Sequence, residues 1–146
     1  MKPLCKRVVS LALLILVLAT GVAFAQTDGN VQEVRRFFSG QRMLVSYRNG
    51  GAVYGTYVFL DVHLCESGRY MLFGQSRKQT VLDNEQVNNW RDNGVWDVTT
   101  FQGEAVLQYV SASGERNAVP VRLQPNGRVW LGNGVSVQRQ GGAQCR

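Results

Sequence analysis

The sequence predicts a mainly β fold: an antiparallel up-and-down meander of about eight strands forming a small barrel, with one short N-terminal helix. Three observations carry that expectation. From Arg42 onward, short runs rich in Val, Tyr, Phe and Thr alternate with polar residues, the period-two pattern of half-buried strands. Turn dipeptides such as Asn126-Gly127 and Asn133-Gly134 separate these runs, and they are strong hairpin signals. All connections but one are short, so sequential strands should pair antiparallel, and the strand count is in the range for a closed up-and-down barrel or a small sandwich, of which the barrel is the expectation taken here.

The first residues, MKPLCKRVVSLALLILVLATGVAFAQ, carry Lys2, Lys6 and Arg7, then an apolar run, then the small-x-small ending Ala23-Phe24-Ala25. This is the layout of an export signal, with cleavage expected before Gln26. A membrane-spanning reading would need about 20 consecutive apolar residues, and Thr20 and Gly21 interrupt the run. The chain therefore divides into a signal peptide, residues 1–25, and a single β-barrel domain, residues 26–146. Localisation is expected to be periplasmic or extracellular, with no stable membrane anchor after cleavage. Losing Lys2, Lys6 and Arg7 and no acid takes the formal charge from +6 to +3. The remaining cations form no basic run, which argues against nucleic acid as a partner.

The helix is expected in NVQEVRRFFSG, where Val31, Val34, Phe37 and Phe38 share one face and Gly40 is a stop. Asn30 and Glu33 resemble a capping pair. RMLVSYR, the turn NGG and AVYGTYVFLDVHLC read as a hairpin with Gly55 as a kink. ESG leads into the strand RYMLFGQSRKQ. Thr80 to Gly94 is polar and irregular, and is expected to be a long loop with a helical turn. VWDVTTF, EAVLQYVSA, AVPVRLQ, RVWLG and VSVQRQ then form the closing meander, with turns at Gln102-Gly103, SGERN, PNG and NG. Pro120 cannot donate to a ladder, so its segment is expected at an edge, a bulge or a strand start.

Asp61, His63 and Cys65 alternate along one strand and point to one face. They could be metal ligands, or a thiol with its base and an orienting carboxylate. Same-face positions lie nearly 7 Å apart, and His63 is the chain's sole histidine. An exported cysteine with a partner oxidises, so a Cys65–Cys145 disulfide is expected. It is worth on the order of 4 kcal/mol for so long a loop. The opposite face, Val58, Leu60, Val62 and Leu64, is apolar, which places His63 on the outer surface. No catalytic residue, metal ligand or cofactor is assigned, and the chain is not expected to be an enzyme.

The aromatic residues Tyr70, Trp96, Tyr109 and Trp130 lie in or beside alternating strands, with Leu72, Val98 and Leu107 on matching parities. In a small barrel they either fill the interior or line a pocket for a small apolar or aromatic ligand. The candidate ligand-binding set is Tyr70, Leu72, Trp96, Leu107 and Tyr109. Arg69, Arg122 and Arg128 are candidate contacts for an anionic group.

An N-terminal helical entry, an antiparallel meander, Gly94-Val95-Trp96 at a strand start and a C-terminal tail tied by a disulfide together resemble the bacterial secreted lipocalin-like, or calycin-type, barrels. That resemblance implies an exported, non-catalytic binding protein for a small molecule or an envelope partner. Ser111 to Arg116, SASGER, is similar to a segment of the periplasmic inhibitors of C-type lysozyme. There the position matching Ser113 reaches into the enzyme, so this second resemblance implies partner binding through Ser113 and Arg116.

Overall fold

The structure, a computed structural model, describes residues 30–50, 55–79 and 85–145. The expected signal peptide and its cleavage site lie outside these residues. Helix α1 covers residues 30–38. Asn30 is already helical, so it does not act as the cap. Nine strands follow: β1 (Gln41–Gly50), β2 (Gly55–Leu64), β3 (Arg69–Lys78), β4 (Gln86–Phe101), β5 (Glu104–Ser111), β6 (Arg116–Pro120), β7 (Arg122–Leu123), β8 (Val129–Trp130) and β9 (Ser136–Gly142).

The fold is mainly β and antiparallel. Strands β1 to β6 pair in sequence order, and β9 returns to pair with β1, giving the order β6-β5-β4-β3-β2-β1-β9. β7 and β8 form a separate two-stranded sheet. Among the described residues no ladder joins the edge strands β6 and β9. The chain from Val121 to Leu131 lies at that seam. Val121 is buried and its amide donates to the Ala105 carbonyl at 2.9 Å, while Leu123, Val129 and Leu131 pack against the core. Pro120 ends edge strand β6, the position that a residue without an N–H tolerates.

The segment Thr80 to Gly94 departs from expectation. From Gln86 it is strand, not loop, and it pairs with β3 from Lys78↔Gln86 to Arg69↔Val95; residues 80–84 lie outside the described set. Both faces of this stretch are largely solvent-exposed, so it lacks the apolar alternation that marks a half-buried strand. Its order comes from the ladder and from Trp90, whose ring occupies the space over Gly74 that a Cβ would need. Beyond Gly94 the same strand turns inward and buries Trp96 and Val98.

The β4–β5 hairpin matches its sequence signal. Phe101 pairs with Glu104, and the two turn residues between them, Gln102 and Gly103, have φ of 51° and 79°. Positive φ at both positions is the type I′ geometry suited to right-twisted strands.

Helix α1 buries Val34 and Phe38, as the helical spacing of its apolar residues requires. They join a core of Met43, Leu64, Tyr70, Trp96, Val98, Ala105 and Val121. Arg35 anchors the helix to β4, donating to the Asp97 carboxylate and, at 3.2 Å, to the Val98 carbonyl. The arginine Arg139 of β9 lies over the Phe37 ring at 5.0 Å.

Candidate functional site

The inner face of the sheet encloses a cavity of about 310 Å³. Val119 from edge strand β6 and Val137 from the opposite edge strand β9 both line it, so the sheet curls until its two edges face one space. Strand alternation supplies the lining. Leu60, Val62 and Leu64 project inward from β2, and Tyr70 and Leu72 from β3, while Phe59, Asp61 and His63 take the other face. Phe38 from α1 contributes to the lining as well.

All five residues of the sequence-derived ligand set, Tyr70, Leu72, Trp96, Leu107 and Tyr109, line this one cavity. Sequence reasoning missed Tyr47, Val135 and Leu131, which also line it. Tyr47 has the same parity as Met43 and Val45 on β1 and could have been found from that alternation. Val135 and Leu131 lie in irregular segments where no period applies. Trp130 is half-buried beneath the Arg122 guanidinium, 4.7 Å from its ring centroid, and does not line the cavity. Arg69, Arg122 and Arg128 do not line it either. Arg122 instead donates to Glu104 at 2.6 Å, so the expected anionic contact from these three arginines is not made at the cavity.

The polar atoms in the lining are few. The Trp96 indole N–H donates to the Cys65 carbonyl at 3.0 Å, and the Trp96 amide donates to the Gly68 carbonyl at 2.8 Å. These two bonds clip β4 to the β2–β3 turn. The Tyr70 hydroxyl donates to Asp92 at 2.6 Å, and the Asn93 amide donates to the other Asp92 oxygen at 2.8 Å. Tyr70 and Tyr109 meet edge to face, their ring centroids 5.7 Å apart. Burial pushes the Tyr70 phenol well above its ordinary pKa, and the Asp92 carboxylate adds to the shift. Burial also raises the Tyr109 phenol, with Glu115 and Tyr47 contributing. Among the described residues the Tyr47 and Tyr109 hydroxyls have no hydrogen-bond partner.

The outer wall answers the question of the Asp61-His63-Cys65 trio. Cys65 is bonded to Cys145, with Cα atoms 5.9 Å apart, as expected. His63 is not a surface residue: it is only 4% exposed. The pinned tail covers it, and the Gln144 amide donates to His63 Nδ1 at 2.9 Å. Phe73 meets its ring edge to face at 6.1 Å. Because Nδ1 accepts, the neutral ring carries its proton on Nε2, which lies 3.4 Å from Asp61. Asp61 in turn accepts two bonds from Arg42, at 2.9 and 2.7 Å, and this pairing holds its carboxyl below the usual carboxylate range. Every member of the trio thus has a structural partner. Among the described residues no group of three His, Cys, Asp or Glu side chains could hold a metal ion.

Ser113 and Arg116 sit at the β5–β6 hairpin, on the turn and at the start of β6, and neither lines the cavity. The Ser113 hydroxyl lies 2.6 Å from that of Ser111, and the Glu115 amide donates to the Ser111 hydroxyl at 3.1 Å. The hairpin is ordered by its own side chains.

Comparison of the chain with family models, with curated proteins and with solved structures finds no match in any of the three.

Proposed function

We propose that this is an exported, non-catalytic binding protein of lipocalin-like barrel plan that holds a small apolar or aromatic ligand inside its curled sheet. The cavity is the observation that supports this reading. At about 310 Å³ it is at the small end of the range for ligand pockets, roughly 300–1,000 Å³, which are mostly apolar with a few orienting polar groups. The hydroxyls of Tyr47 and Tyr109, two of the lining residues, provide such groups for one polar substituent on the ligand. The Cys65–Cys145 bond fits an oxidising compartment, which supports the export reading. In this reading the chain from Val121 to Leu131 closes the barrel between the edge strands β6 and β9, which no ladder joins among the described residues.

N-phenyl-1-naphthylamine, a neutral aromatic probe, tests the reading. It should gain fluorescence on binding and quench tryptophan emission through Trp96. Leu107→Trp, which fills the cavity, should abolish the gain in a protein that stays folded. Failure of the probe and of a panel of similarly sized apolar compounds to bind would remove the ligand reading.

A further inference from the structure

The lining of the cavity holds no charged side chain, and its side-chain O–H and N–H groups come from Tyr47, Tyr70, Trp96 and Tyr109. Two of these groups have their hydrogen committed to the protein. The Trp96 indole donates to the Cys65 carbonyl, and the Tyr70 hydroxyl donates to Asp92. Toward anything inside the cavity the Tyr70 oxygen is therefore an acceptor alone, and the carboxylate bonded to it makes that oxygen more negative.

Negative charge gathers at the same end. Asp92 stands opposite Leu72 of the lining, so it shares the inner face of the sheet. Asn117 stands opposite Tyr109, and its amide donates to Glu115 at 3.2 Å, which holds a second carboxylate at this rim. Burial and then both carboxylates raise the Tyr70 and Tyr109 phenols, and no Lys or Arg among the described residues opposes the shift. In the seven-stranded sheet the ladders give inner parity to two described cations, Lys78 and Arg139. Lys78 ends β3, roughly 20 Å along the strand from Leu72. Arg139 donates to Gln41 at 3.0 Å and lies over Phe37 of the helix. Residues 51–54 and 80–84, outside the described set, include no Lys or Arg.

Resting on the ligand reading above, we infer that the bound molecule is an amine: an apolar or aromatic body carrying a basic nitrogen, protonated at neutral pH, whose N–H groups face the Tyr47, Tyr70 and Tyr109 oxygens. An ammonium supplies the hydrogen that the Tyr70 oxygen accepts, and it is attracted to the faces of the tyrosine rings. Asp92 is half-buried and Glu115 exposed, so the charge at this rim keeps part of its water and the cost of burying it is limited. A carboxylate or phosphate on the ligand would meet two like charges and an oxygen with no hydrogen to offer. An alcohol gains the hydrogen bond without the Coulomb attraction.

Calorimetric titration of the full chain with three naphthalenes of similar size tests the inference: 1-naphthylmethylamine, 1-naphthalenemethanol and 1-naphthoate. The amine should bind about tenfold tighter than the alcohol, and the carboxylate more weakly than either. Asp92→Asn keeps the side-chain shape and an acceptor for Tyr70. It should lower the amine's affinity about tenfold and the alcohol's far less. Equal binding of amine and alcohol, or tighter binding of the carboxylate, overturns the amine assignment and leaves the cavity reading standing. So does binding of N-phenyl-1-naphthylamine when none of the three binds. Failure of all four, and of the wider apolar panel, removes the cavity reading and the amine with it. A folded Asp92→Asn variant with undiminished amine affinity also overturns the inference. If that variant fails to fold, the comparison of headgroups on the unaltered protein decides.

Discussion

Tyr70 lines the cavity with its ring and reaches Asp92 with its hydroxyl, so one side chain couples the apolar interior to a carboxylate on the neighbouring strand. Its phenol and that of Tyr109 are raised in the folded protein. A raised folded value means that the associated stability is complete below the unfolded phenol pKa, about 10. It is lost as pH rises through the higher folded values. Urea unfolding from neutral pH to above about pH 10 should therefore show falling stability, and Tyr70→Phe should flatten part of the fall. At neutral pH that change should cost about 1.5–3 kcal/mol, the loss of a hydrogen bond to a charged group. The inward parity of Tyr70 was legible in the alternation of β3. The bond to Asp92 was not, because it depends on a β3–β4 register that the polar sequence before Gly94 does not announce. His63 was misread for a related reason. Strand parity correctly put it on the outer face, but its burial comes from residues 143–145, some 80 positions later in the chain.

At the scale of the element, β4 joins two different environments in one strand of 16 residues. Its first half is held by β3 alone, and its second half is held by β3 and then β5. Gly94 is the transition. A Cβ there would lie 1.9 Å from the Val110 carbonyl oxygen, a contact with backbone that cannot rotate away. Gly94→Ala should destabilise the protein by about 1–3 kcal/mol, the typical cost of overpacking, and more if the β4–β5 ladder opens. Chemical denaturation checks the stability, and amide exchange should show lost protection at Val110 and Ser111 first. The tight Gln102-Gly103 turn of this hairpin was readable because local chemistry decides it. The first half of β4 was not, since Asn88, Asn89, Asp92 and Asn93 satisfy no strand period and acquire their conformation from a partner strand.

For the whole molecule, the disulfide closes a ring of chain from β3 to the tail, while β1 and β2 remain outside that ring. The tail also reaches back toward the helix, where the Ala143 amide donates to the Gly40 carbonyl at 2.8 Å. Cys65→Ser with Cys145→Ser should cost on the order of 4 kcal/mol, and the freed tail should uncover His63. A lower denaturation midpoint together with faster His63 modification by diethyl pyrocarbonate would report both effects, and an unchanged modification rate would refute the role of the tail as a cover. The main features of the fold, a β-rich meander, an N-terminal helix and one staple, follow from alternation, turn dipeptides and cysteine count. The curl that brings β6 and β9 to one cavity is a property of the whole sheet, and it is not written in any single strand.

The pairing of β1 with β9 has a further consequence for how the chain is made. Among the described strands β1 is the first in chain order, and its outer neighbour β9 is the last. Until Gly142 has been synthesised, β1 keeps a row of unpaired amides and carbonyls along one side, a template on which another nascent chain could add a strand. The helix before it and the β2 hairpin after it can form early, but neither covers that side. The molecule therefore acquires this protection against self-association only once β9 has been made.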